Sequence, residues 1–161
     1  MKRVVWVTAV CGSLCAAATF GAAGSRIDSL SKELRSGDET ARLNAAFSLF
    51  DLGPEAKDAV PALADALYAP QPEIRLVAVA ALSRMGTDAA PASAALASRL
   101  DDSDTGVRTT AIATIEGLGS LATPALAQSL ENGSSLSRKN AGALLEMLDD
   151  EHVPRVPVLV N

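Results

Sequence analysis

The residues able to do chemistry are few and unevenly placed. His152 is the single histidine among 161 residues. A histidine metal cluster is therefore excluded, and a His-assisted nucleophile would have to recruit both of its partners from elsewhere in the chain. Serines are plentiful, but the chain contains no GxSxG elbow, no phosphate-binding loop and no dinucleotide fingerprint. The stretch "DDSDTG" (residues 101–106) crowds Asp101, Asp102 and Asp104 into one turn. It lacks the ligand spacing and distal Glu of a calcium loop, and it reads better as a solvated turn in which Asp104 caps the next helix. No catalytic, cofactor-binding or metal-ligating residue is assigned, and no enzyme is expected.

One charged group does recur at fixed spacing. Arg42, Arg75 and Arg108 are 33 residues apart, and Arg138 follows after 30. Such a ladder has the chemistry to bind anions. A position that repeats with the scaffold is better explained as a tether, each guanidinium meeting an acidic or capping group near the turn, such as Asp38 or Asp104, and tying adjacent units together.

The elements that position these arginines follow from the same period. Gly53, Gly86 and Gly119 keep the 33-residue register, as do Leu30, Leu63 and Leu96, and Leu34, Leu67 and Leu100. Leu126 and Leu130 continue it in a fourth copy, shifted because "GSLATPAL" is three residues shorter than "GPEAKDAVPAL". Each unit holds two helical patterns. The first carries leucines four apart, with Pro61 and Pro124 where a first-turn proline costs no hydrogen bond. The second opens near the Arg, with Asp104 and Ser135 as N-cap candidates and Pro72 at a first helical position. From Arg108, the residues Ala111, Ile112, Ile115 and Leu118 form one apolar stripe. The glycines then stand where a left-handed residue ends a helix without a Cβ clash. A lone hairpin of this kind cannot bury its apolar face, so about three or more must stack, and four are present. The fold class expected is all-α, an α-solenoid of about four helical hairpins, with repeats at approximately 27–59, 60–92, 93–122 and 123–150.

On "AVPALADAL…EIRLVAVAALSRMG" and "AALASRLDDSDTGVRTTAIATIEGLG" the chain resembles HEAT-like repeats, in particular the short kind named after phycocyanobilin lyases. The resemblance covers roughly residues 27–148. It implies a superhelix whose second helices line an inner surface and bind other macromolecules, and it leaves activity open.

One column varies while the scaffold columns stay fixed. One and eight residues after the Arg, the third copy has Thr109 and Glu116 and the fourth Lys139 and Glu146, whereas the first has Leu43 and Phe50, with Phe47 nearby, and the second has Leu76 with Ser83. Leu43, Phe47, Phe50 and Leu76 are the candidate partner-binding patch. The bland alternative is that they thicken the core.

The two ends read differently from the repeats. Lys2 and Arg3 precede an uncharged stretch from Val4 to Ala23 that closes in small residues, the pattern of a secretory signal peptide over residues 1–24, with cleavage after Ala23 or Gly24. An uncleaved membrane anchor is the rival. "SRID" (25–28) has the form of a helix start at that boundary. Cys11 and Cys15 both fall in this leader, so the mature chain would have neither disulfide nor thiolate chemistry. Losing Lys2 and Arg3 leaves 12 basic against 19 acidic residues, a net of −7, which disfavours nucleic acid and anionic lipid. After residue 150, Pro154 and Pro157 forbid a regular helix. The tail, residues 151–161, is expected to run extended and cover the last hairpin, or else to be offered to a partner as an added strand.

These readings converge on an exported, periplasmic or secreted, monomeric scaffold without cofactors that binds another protein through its arrayed helical face. The alternative is a lyase or lyase-accessory protein of the phycobilin-lyase-like group.

Overall fold

The structure, a computed structural model, describes residues 14–152, with side chains over 24–149. Residues 1–13 of the expected leader, including Trp6 and Cys11, and residues 153–161 of the tail lie outside the described residues. All the described elements are helical. The chain runs α1 (Leu14–Ser36), α2 (Glu39–Leu52), α3 (Val60–Ala66), α4 (Pro72–Met85), α5 (Ser93–Ala97), α6 (Thr105–Leu118), α7 (Thr123–Asn132) and α8 (Ser135–His152). Paired in order these are four hairpins, an α-solenoid. The second helices form one layer, α2 on α4 and α4 on α6, while α8 packs mainly on α7 and touches α6 more lightly.

The repeat register becomes a layered core. Leu49, Leu82 and Ile115 stand one period apart and are all fully buried, as are Leu63, Leu96 and, three residues short of the period, Leu126. Each buried side chain of this size contributes about 1.5–3 kcal/mol. Ala45, Ala78, Ala111 and Ala141 occupy the equivalent place in α2, α4, α6 and α8, each at most 1% exposed. A methyl group at that column lets neighbouring helices approach closely.

Gly53, Gly86 and Gly119 have φ of 54°, 58° and 58°. The sign is the one the sequence demands, but ψ lies near −130° instead of the left-handed value. This is the mirror-β conformation found at the first central position of a type II′ turn, less accessible still to a residue with a Cβ. From each glycine a short 3₁₀ stretch leads into the next hairpin: Gly53–Ala59, Gly86–Ala92 and Gly119–Ala122. The last has four residues where the others have seven. That difference is the whole of the 33-to-30 shift.

Two local expectations need correction. α1 passes through Ser25 without a break, so "SRID" does not start a helix in this chain. The α8 cap is Ser134, whose Oγ accepts from the Ser137 N–H; Ser135 is already helical. Asp38 and Asp104 do cap α2 and α6, accepting from the Ala41 and Val107 N–H groups.

Candidate interaction face and the junctions between hairpins

The four candidate residues lie on α2 and α4 but meet different surroundings. Phe47 is 49% exposed and Leu76 is 37% exposed. Leu43 and Phe50 are partly buried against the core. The Phe50 ring is further covered by the Arg84 guanidinium, 4.7 Å from its centroid, which joins the last turns of α2 and α4. Cation–π stacking at such a site is worth about 0.5–1 kcal/mol. Phe47 and Leu76 are thus the open part of the group, and Phe50 mostly supports the junction. Leu76 also reaches across to α6, where its methyls would lie 3.6–3.7 Å from a Cβ placed on Gly106.

The arginine column does two jobs. Within a hairpin it closes the loop between the helices: Arg75 Nη1 donates to the carbonyls of Ala69 and Pro70, Arg108 Nη1 to those of Asp102 and Ser103, and Arg138 Nη1 to that of Gly133. Between hairpins it acts as a tether at two places. Arg75 Nε and Nη2 donate to the two oxygens of Asp102 at 2.8 and 2.6 Å, and Arg42 Nη2 donates to Gln71 Oε1 at 3.2 Å. The acid that receives Arg75 is therefore Asp102, with Asp104 serving as helix cap. Among the described residues, Arg108 and Arg138 bond only inside their own hairpins.

Asp102 is among the few buried polar residues. Burial alone pushes its carboxyl up, but the Arg75 hydrogen bonds, the Asp104 N–H at 2.9 Å and the charges of Arg75 and Arg99 outweigh that, leaving it below the usual carboxylate range. The "DDSDTG" turn is hence not a solvated cluster throughout. Asp101 is exposed, Asp102 faces the guanidinium and Asp104 faces its own helix, so the three carboxylates do not converge on one point.

The three junctions are built differently. Between the first and second hairpins stand Arg42–Gln71, Arg84 over Phe50, and an exposed Arg35–Asp65 pair at 2.9 Å. Between the second and third lie the Arg75–Asp102 pair and Arg99 over the Tyr68 ring at 4.9 Å. Between the third and fourth, Asn140 Nδ2 donates to the Leu100 carbonyl at 2.7 Å. Sequence reasoning missed Asp102, Arg99, Tyr68 and Asn140. Asp102 had a findable signal, lying six residues before Arg108 and facing back to the preceding Arg. Asn140 had none, because its role is a contact to a backbone carbonyl in another hairpin.

No helix among the described residues is long and apolar enough to cross a membrane. No curated protein matches the chain. Solved structures do. One is an engineered protein from a structural genomics consortium, with TM-score 0.55 and 21% identity over 77% of this chain. Another is a designed armadillo repeat protein in complex with the peptide (KR)4, with TM-score 0.54 and 21% identity over 74% of this chain. In both cases the match spans 62% of the other protein's length. At that identity the likeness concerns fold. The profile of HEAT repeats matches residues 27–116 directly. That span covers more than half of the sequence and includes Arg42, Arg75 and Arg108 together with Gly53 and Gly86, so the chain belongs to the HEAT-repeat family.

Proposed function

We propose that the protein is an exported, non-enzymatic scaffold that binds another protein through the layer of second helices, with Phe47 and Leu76 as its apolar anchors. The observation that carries this reading is their exposure on adjacent helices of a stacked array, where the next repeats carry smaller or polar residues: Thr109 at the place of Leu76, and Ala80 and Ala113 at the place of Phe47. Large side chains left open on a rigid surface are the usual source of binding energy at protein interfaces. Asp51 lies one turn after Phe47, and Glu73 lies one turn before Leu76. A segment presenting an apolar side chain flanked by Lys or Arg complements this face. The designed armadillo neighbour in complex with the peptide (KR)4 offers a precedent of the same general kind.

Export rests on the leader pattern of residues 1–24 and sets the compartment as periplasm or extracellular space. The test is affinity capture from the native envelope, comparing the wild-type chain with a Phe47→Asp/Leu76→Asp variant. Both should show the same circular dichroism, and the variant should lose the captured partner. Equal capture by a folded variant rejects this face as the docking surface.

A further inference from the structure

The first and second junctions use the same backbone with different side chains. The loop before α4 and the loop before α6 share a turn bond: the Ala69 N–H donates to the Ala66 carbonyl at 3.1 Å, and the Asp102 N–H donates to the Arg99 carbonyl at 3.1 Å. Ala69 and Asp102 are thus one repeat apart in equivalent places, just as Arg42 and Arg75 are. At the second junction Asp102 supplies a carboxylate to Arg75. At the first, Ala69 supplies a methyl group.

Two features mark the result. The Arg42 Nε is buried and has no hydrogen-bond acceptor among the described residues, whereas the Arg75 Nε donates to Asp102. At the same junction lies a cavity of about 230 Å³ whose lining includes Arg42, Ala69, Leu34, Ala66 and Ile74, and the charged Arg35 and Asp65. At about 30 Å³ per water, that is room for roughly eight waters, or for a small anion with a short apolar stem. Leaving a buried N–H unmatched is costly, and a charge-assisted bond to a carboxylate is among the stronger ways to satisfy a guanidinium. The other charges at the cavity are largely committed. Arg35 is paired with Asp65, and Glu39 reaches Arg42 only through the Gln71 amide, which donates to Glu39 at 3.3 Å.

We infer that the cleft between the first and second hairpins is a carboxylate-binding site, in which an external carboxylate takes the place at Arg42 that Asp102 takes at Arg75. The ligand carries one carboxylate on a short aliphatic stem, either a free small acid or an Asp or Glu side chain of a bound polypeptide. The site is independent of the second-helix face and stands whether or not Phe47 and Leu76 dock a partner.

The experiment follows the Arg42 Nε–Hε resonance and the Ala62, Ala66 and Ala69 amides by NMR during titration with sodium butyrate, against sodium chloride at equal ionic strength. A saturable shift of these resonances is expected with butyrate and none with chloride. Arg42→Gln should abolish the shift. Ala69→Asp, which supplies the carboxylate within the chain, should abolish it too and raise the melting temperature by about 2–4 °C. A second titration with an amidated peptide ending in Ala-Ala-Glu separates the sources: a matching shift assigns the site to a partner's side chain, and its absence, with butyrate active, assigns it to free acids. The inference is overturned if butyrate acts no differently from chloride, as a sealed Nε–H requires, or if Arg42→Gln leaves the butyrate shifts intact. Should Ala69→Asp not fold, the Arg42→Gln comparison decides alone.

Discussion

Arg75 and Asp102, in consecutive hairpins and 27 positions apart, share two parallel hydrogen bonds with both side chains less than 10% exposed. Neither hairpin carries both halves of the pair, so the contact exists only when the two are stacked. Removing one partner leaves a buried charge without compensation, which is the costly case for ion pairs.

Asp102→Ala should therefore lose about 3–5 kcal/mol of unfolding free energy. The double variant Arg75→Met/Asp102→Leu should recover most of the loss, because an apolar pair of similar volume avoids the desolvation cost. Urea denaturation of the three proteins checks both statements.

The same carboxylate gives the stability a pH dependence of definite sign. Its pKa in the folded chain lies below the ordinary value. Its contribution is then fully present above the unfolded value, about 3.9, and is lost as pH falls through the depressed folded value. Asp102→Asn should flatten the stability profile below about pH 4 and leave its slope above about pH 5 unchanged. Melting temperatures across that range are the measurement.

Two glycines should respond to alanine in opposite directions. Gly86 has φ of 58°, and a Cβ added there would meet no heavy atom within 4 Å, so Gly86→Ala should be destabilised through backbone strain alone, by about 1–3 kcal/mol. Gly117, inside α6 and equally open on that side, has an ordinary helical place. Gly117→Ala should gain about 0.5–1 kcal/mol. Thermal unfolding of the pair separates conformational strain from crowding.

Cleavage of the leader would leave the anchors of α1 in place. Ile27 is 6% exposed and Leu34 3% exposed, and both lie beyond Gly24. A chain beginning at Ser25 should unfold within about 0.5 kcal/mol of the full-length protein. If the proposed export takes place, mass spectrometry of the protein from the native envelope should find its first residue at Gly24 or Ser25. A larger stability loss, or an intact Met1, would count against the processed form as the working one.

The hairpin count and the positive φ of the three glycines were legible because each is repeated, and repetition turns a weak local preference into a register. What stayed hidden has particular causes. Asp101, Asp102 and Asp104 are chemically alike and adjacent, so which one faces Arg75 depends on the loop backbone. Ser134 and Ser135 are equal cap candidates until the turn at Gly133 decides between them. Phe50 looked as open as Phe47 because the flexible Arg84 that covers it comes from another hairpin. Leu130 shares the column of Leu34, Leu67 and Leu100, yet it is 37% exposed where they are almost wholly buried. Its residue type is right for a core, but among the described residues no hairpin follows to cover it.

The uneven junctions also set the order in which the molecule comes apart. An array held by nearest-neighbour contacts loses its weakest seam first, and the seam between the second and third hairpins is the one clasped by a buried ion pair. Amide protons of α4 and α6 should exchange slowest, with α1 and α8 opening in sub-global steps before them. The protein then behaves as a durable middle with two yielding flanks, each able to loosen without melting the whole.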